Sequence, residues 1–228
     1  MPTPRVFVMR HGETEWSRTG QYTGKTDIPL TARGIEQVKE TGRMVVGHGK
    51  LMDPSRIVKA FISPRQRAQM TFDLFTGECE GVEIEKDTTE DLREWEYGLY
   101  EGMLTKDIRA ARKERGLDRT KEWDIWVDGC EEGETPKQVS DRLDDLISQI
   151  RDIQSPHMHD DKPADILLVA HGHILRGFVR RWLGYSLDFR LLLMLEPGGV
   201  GVLTYDHRSL EEPAVLVGLG FPLKEEVS

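Results

Sequence analysis

Cysteine is nearly absent: the 228-residue chain has two, Cys79 and Cys130. That excludes a disulfide-stapled secreted scaffold and fits a reducing compartment, so a cytoplasmic location is expected. Neither thiol lies in a segment that carries chemistry, and both read as inert. Long apolar runs are absent as well. The longest, residues 166–170 and 191–195, have five residues each, against about 20 for a membrane-spanning helix. The apolar run at residues 6–9 is too short for the core of a signal peptide. No Gly-x-x-x-x-Gly-Lys-Ser/Thr occurs, so a phosphate-binding loop for a nucleoside triphosphate is not supported. Positive charge is not in excess: 31 Lys+Arg stand against 40 Asp+Glu, a formal net charge of −9. That balance argues against nucleic acid and anionic membranes as partners.

What is present is an alternation of strand and helix signals. Residues 6–9 form a short apolar run that ends at Arg10, His11 and Gly12, the pattern of a buried strand. Residues 12–30 read as a loop, and Thr31 caps a helix to about Val46. Ile57–Ile62 is a second strand, stopped by Ser63-Pro64, with a helix from Arg65 to about Phe75. A short strand is expected at 82–85, a polar helix at 105–115 and an amphipathic helix from Thr135, its apolar positions Val139, Leu143, Leu146, Ile147 and Ile150. Residues 166–170 are the most strand-like and end at His171-Gly172-His173, followed by a helix to Leu183. Further strands are expected at 191–195, 200–205 and 215–217. This order predicts an α/β protein, a three-layer α/β/α sandwich on a mostly parallel sheet. No repeat, low-complexity tract or linker divides it, so residues 1–228 read as a single domain.

Two buried strands each deliver a histidine at the C-terminal end, where open α/β sheets form their ligand crevice. Arg10 adjoins His11, and Ser63-Pro64-Arg65 brings a second guanidinium to the same edge. Arginine offers a fixed fork of donors matched to phosphate oxygens. A neutral imidazole beside such cations is a nucleophile toward phosphorus, because the neighbouring charge lowers its pKa. Either histidine alone is an ordinary structural residue; their conjunction with two arginines points to a phosphoryl group. A metallophosphatase is the rival, with His171, His173 and His11 as ligands. The aspartate and asparagine clusters of two-metal phosphatases are missing, and Arg10 beside His11 opposes a bound cation. No metal and no cofactor is expected.

The block Val8-Met9-Arg10-His11-Gly12-Glu13-Thr14-Glu15-Trp16 resembles the signature of the histidine phosphatase superfamily, which includes phosphoglycerate mutases. The resemblance continues through Tyr22-Thr23-Gly24, Ser63-Pro64-Arg65-Gln66-Arg67-Ala68, Leu92-Arg93-Glu94-Trp95-Glu96-Tyr97-Gly98 and Ala170-His171-Gly172-His173. It implies a phosphoglycerate mutase-like fold and a set of roles. His11 matches the nucleophile that becomes a phosphohistidine, and Arg10, Arg65 and His171 match the pocket for the transferred phosphoryl group. Glu94 matches the acid that protonates the leaving alcohol and later activates water. Thr23 lies where the family contacts phosphate, with Tyr22 and Tyr97 lining the pocket. Sequence physics does not choose among Glu13, Glu94, Glu96 and Glu101 for the acid; the resemblance does.

Segments beyond the shared mechanism, among them Asp128-Gly129-Cys130-Glu131 and Gly198-Gly199-Val200-Gly201, resemble the fungal sedoheptulose-1,7-bisphosphatase branch of that superfamily. They imply a small phosphorylated sugar as the partner. Ser17 stands where the mutases usually carry asparagine, which favours hydrolysis over mutase activity. The connection between Gly184 and Gly198 is shorter than in that branch, which leaves room for another sugar phosphate or broad specificity. A bisphosphate needs a second anion site. Arg176 and Arg180 follow His173 at i+3 and i+7 on one helix face, and Arg93 is a further candidate. A non-catalytic phosphate-binding regulatory protein is the alternative of another class; intact Arg10, His11, Arg65, Glu94 and His171 argue against it.

Overall fold

The two most strand-like runs of the sequence lie side by side at the centre of a six-stranded sheet. The computed structural model describes residues 3–77 and 82–218, so Cys79 lies outside the described residues. In chain order the elements are β1 (Val6–Arg10), α1 (Glu15–Thr19), α2 (Ala32–Val45), β2 (Ile57–Ile62), α3 (Gln66–Thr76), β3 (Lys86–Thr88) and α4 (Thr105–Glu114). There follow α5 (Ile125–Asp128), α6 (Pro136–Gln154), β4 (Asp165–Ala170), α7 (Gly172–Trp182), β5 (Val200–Tyr205) and β6 (Pro213–Val215). The strand order is β3-β2-β4-β1-β5-β6. β3, β2, β4 and β1 run parallel, and β5 and β6 continue the sheet antiparallel.

Strand alternation sorts the core into two layers. Val6, Val8, Ile166, Leu168 and Ala170 face a cluster that contains Val139, Leu143 and Leu146 of α6 and Ile174, Leu175 and Phe178 of α7. Phe7, Met9, Leu167 and Val169 face the other way, onto Val38 of α2 and Ala68, Phe72 and Phe75 of α3. The architecture is therefore the expected α/β/α sandwich. Helix starts follow their caps. Thr31 accepts from Gly34 N at α2, and Thr135 and Gln138 form a capping box at α6 with Pro136 in the first turn. Among the described residues no helix is long and apolar enough to cross a membrane.

Four expectations change. Residues 12–30 contain α1, started by a capping box between Thr14 and Ser17. The strand expected at 82–85 is instead the polar β3, paired with β2 through Ala60–Lys86, Phe61–Asp87 and Ile62–Thr88. An edge strand needs no apolar run, so its pattern is weak in the sequence. Residues 191–195 form no strand, because side chains take their carbonyls: Arg180 binds Leu191 O and Arg10 binds Leu195 O. The final strand ends at Val215 rather than starting there.

The loop after β3 has little regular structure and is held by a buried carboxylate. Glu134, 4% exposed, accepts from Arg142 Nε and Nη2 at 2.9 Å each, from Arg93 Nη2 at 2.7 Å and from Glu96 N at 2.9 Å. Arg142 also donates to the carbonyls of Asp91 and Arg93. Close approach of the 96–98 and 131–134 backbones requires glycine: Gly98 has φ +53°, and a Cβ there would sit 2.0 Å from Glu131 O. Arg142→Met leaves Glu134 buried with half its cationic partners gone. It should destabilise the fold by about 3–5 kcal/mol, read from urea unfolding; a loss below about 1 kcal/mol would show that the network is not what holds this loop.

Candidate active site

Register builds the site. β1 and β4 pair with Arg10 opposite Ala170, and β2 and β4 pair with Ile62 opposite Val169. The next residues, His11, His171 and Ser63, therefore leave the same sheet edge together. His11 N donates to Ala170 O at 2.9 Å, and Ser63 N donates to Val169 O at 3.0 Å. The His11 and His171 ring centroids lie 5.1 Å apart, and both side chains are buried.

Hydrogen bonds fix both tautomers. His11 Nδ1 lies 2.7 Å from Gly12 O. A carbonyl only accepts, so Nδ1 carries the proton and Nε2 keeps its lone pair. His171 Nδ1 accepts from Arg67 Nε at 3.1 Å, which leaves Nε2–H to donate to Ser63 Oγ at 2.7 Å. Burial first, then Arg67 and Arg10, holds the His11 pKa well below the ordinary histidine value. For His171 the causes are burial, Arg67, His11, Arg65 and Arg10.

The guanidinium that touches His171 belongs to Arg67, which sequence reasoning passed over in favour of Arg65. Arg65 is the N-cap of α3 and half-buried, and its Nε donates to Gly24 O at 3.2 Å. Arg67, in the first turn, is fully buried and binds Thr26 O, Thr23 O and Gly24 O as well as His171. Residue 67 lies on the buried face of α3 with Ala68, Thr71, Phe72 and Phe75; that phase was the available signal. Arg10 donates Nη1 to Leu195 O at 2.9 Å, while its buried Nε has no partner. Gly172 makes room for it, since a Cβ there would lie 3.3 Å from Arg10 Cζ.

Glu94 stands at the N-terminus of α7. Its Oε1 accepts from Trp95 N and Ile174 N at 2.9 Å each, and its Oε2 from His173 N at 3.0 Å. Three backbone donors thus fix the carboxylate. Arg10, His11, Tyr22, Thr23, Glu94, Tyr97, His173 and Arg176 are among the residues that line one cavity of about 170 Å³. Tyr97 Oη is 2.8 Å from His173 Nδ1, and Tyr22, Tyr97 and Trp126 pack around the His173 ring at tilted or edge-on angles. Thr23 Oγ1 donates to Gln21 O at 3.2 Å. Arg93 does not join them: Glu134 holds its guanidinium at 2.7 Å, which removes it as a second anion site.

Metal ligation has little to work with. Both His171 nitrogens and His173 Nδ1 already face protein partners, and no group of three or more His, Cys, Asp or Glu among the described residues could hold an ion. Burial, with Glu134 next, pushes the Cys130 thiol far up, so it stays protonated.

His11, His171 and His173 all carry pKa values held well below the ordinary histidine value of about 6.5, burial being the largest cause in each. Below pH 6.5 the unfolded chain binds protons that the folded one refuses, so stability is lost as pH falls. Each histidine should contribute about 1.4 kcal/mol per pH unit over that range. Urea unfolding between pH 7.5 and 5.5 checks this. A loss that shrinks in a His11→Asn variant is expected, and stability that rises on acidification would contradict neutral burial.

The family model "Histidine phosphatase superfamily (branch 1)" matches residues 6–214. Sedoheptulose 1,7-bisphosphatase of Saccharomyces cerevisiae is 40% identical over 93% of this chain and 92% of its own length. An acid phosphatase of Mycobacterium tuberculosis is 33% identical over 96% and 94%. The solved structure of a Mycobacterium tuberculosis open reading frame superposes with a TM-score of 0.76 at 29% identity, covering 95% of this chain and 97% of that one. The chain belongs to the histidine phosphatase superfamily.

Proposed function

We propose that the chain is a phosphatase of sugar phosphates, foremost a sugar bisphosphate such as sedoheptulose 1,7-bisphosphate, acting through a phosphohistidine at His11. The observation that carries this reading is the His11 Nδ1–H bond to Gly12 O, which leaves a neutral nucleophilic Nε2 on a buried ring close to Arg67 and Arg10. Arg10, with its unpartnered Nε, and Arg67 next to the two histidines supply the charge that a phosphoryl dianion needs.

The chemistry has two steps. His11 Nε2 attacks phosphorus, the bond to the ester oxygen breaks, and Glu94 gives its proton to the leaving alkoxide. Glu94, now ionised, takes a proton from water as the hydroxide attacks phosphorus; the P–N bond breaks, its electron pair returns to His11, and phosphate leaves. His171, neutral and tied to Arg67 and Ser63, keeps the surrounding donors in place and offers no competing charge.

Support for a bisphosphate comes from the yeast relative and from Arg176. That arginine lines the cavity, donates Nε to Gly172 O at 2.9 Å and forms no ion pair among the described residues. Arg180, the other helix-face candidate, is buried and committed to backbone carbonyls, so Arg176 takes the second phosphate.

Two outcomes are expected. Arg176→Ala should raise KM for sedoheptulose 1,7-bisphosphate about 10-fold or more, a charged hydrogen bond lost, while KM for p-nitrophenyl phosphate stays nearly constant; equal changes would remove Arg176 from the second site. Glu94→Gln should cut kcat about 10²–10⁴-fold for sugar esters, and much less for phosphorylation of His11 by p-nitrophenyl phosphate, whose leaving group needs no proton. Stopped-flow burst kinetics separates the two. A variant with unchanged turnover of both esters would exclude Glu94 as the acid.

A further inference from the structure

Residues 184–198, between α7 and β5, have neither helix nor ladder, and Leu192 and Met194 are 84% and 89% exposed. Three arginines hold this backbone instead; Arg181 Nη1 donates to Tyr185 O at 2.9 Å at its start. Arg180, on α7, donates Nε to Phe189 O at 3.1 Å, Nη2 to Leu191 O at 2.9 Å and Nη1 to Arg176 O at 3.1 Å. Its Cζ lies 4.1 Å from the centroid of the Trp126 ring. Farther along, Arg10 Nη1 donates to Leu195 O at 2.9 Å, and Gly198 N donates to the carbonyls of Arg10 and His11.

Arg180 is 6% exposed and has no carboxylate partner among the described residues. An apolar side chain would fill that space without desolvating a charge. What only a guanidinium supplies is a rigid fork that holds two carbonyls of the connection at once. Those carbonyls lie six and four residues before Leu195, whose own carbonyl accepts from the Arg10 guanidinium. The Arg10 Nε is left buried and unpartnered, a donor kept for a ligand.

We propose that Arg180 is a positioning residue: by pinning Phe189 O and Leu191 O it sets the connection so that Leu195 O orients the Arg10 guanidinium toward the phosphoryl group. The effect reaches the transferred phosphoryl itself, so it is shared by every ester and does not depend on the rest of the substrate. This rests on the reading that Arg10 binds that group.

A double-mutant cycle between Arg10→Met and Arg180→Met tests it, with kcat/KM for p-nitrophenyl phosphate and the inhibition constant of inorganic phosphate as readouts. Arg180→Met should lower kcat/KM and weaken phosphate inhibition, each about tenfold, and should have almost no further effect once Arg10 is methionine. Arg180→Lys, which keeps the charge but cannot hold both carbonyls in a fork, should lie between, and it replaces methionine in the cycle if that variant fails to fold. Additive losses, or lowered thermal stability with unchanged phosphate inhibition, would overturn the proposal and leave Arg180 a packing residue. An Arg10→Met enzyme as active as the parent would instead overturn the phosphoryl site on which the proposal stands.

Discussion

The parallel register that sets Arg10 opposite Ala170 governs the rest of the site. A slip of one residue would turn His11 to the other face of the sheet and bury an arginine in the core. Held as it is, the register places His11 and His171 side by side at the carboxyl ends of β1 and β4, with Ser63 from β2 beside them. Apolar packing on both sheet faces fixes the register, so the core residues position the chemistry without touching it. At that edge His11 has one available tautomer, because the nearest partner of Nδ1 can only accept.

A chain of net charge −9 holds a cationic pocket through its choice of partners for arginine. Arg5, Arg112, Arg142 and Arg181, which tie elements together, are matched by the carboxylates of Asp165, Asp118, Glu134 and Asp144. Arg10, Arg67 and Arg180 are held mainly by main-chain carbonyls; half-exposed Asp27 approaches Arg67 no closer than 3.9 Å. Carbonyl dipoles orient a guanidinium without cancelling its charge, so the positive potential stays available to a phosphoryl dianion. Beyond about 8 Å salt screens the acidic surface. Overall charge therefore leaves a small phosphate ester in the pocket unopposed.

Much of this was legible in the sequence. The runs before His11 and His171, the caps at Thr31 and Thr135 and the apolar spacing of α6 are local signals, and each element formed where they point. The polar edge strand β3 and the irregular 191–195 segment were misread, because edge position and the capture of carbonyls by Arg10 and Arg180 are tertiary facts. Arg65 and Arg67 are two residues apart in one motif, and only the phase of α3 says which is buried. Arg93 adjoins Glu94 in sequence, yet Glu134, 41 residues on, claims its guanidinium. Glu94 itself could be chosen over its acidic neighbours only by resemblance; the structure shows the physical distinction, a carboxylate fixed by three backbone donors at the start of α7.

The central claim is that His11 reacts through Nε2 because Nδ1–H is committed to Gly12 O. The most direct measurement is NMR of the enzyme trapped with substrate at low temperature, with ¹⁵N-labelled histidine and ³¹P detection of the N–P coupling. The account predicts one phosphohistidine, at His11 and linked through Nε2. A phosphoryl group on Nδ1, on His171 or on an oxygen would contradict it.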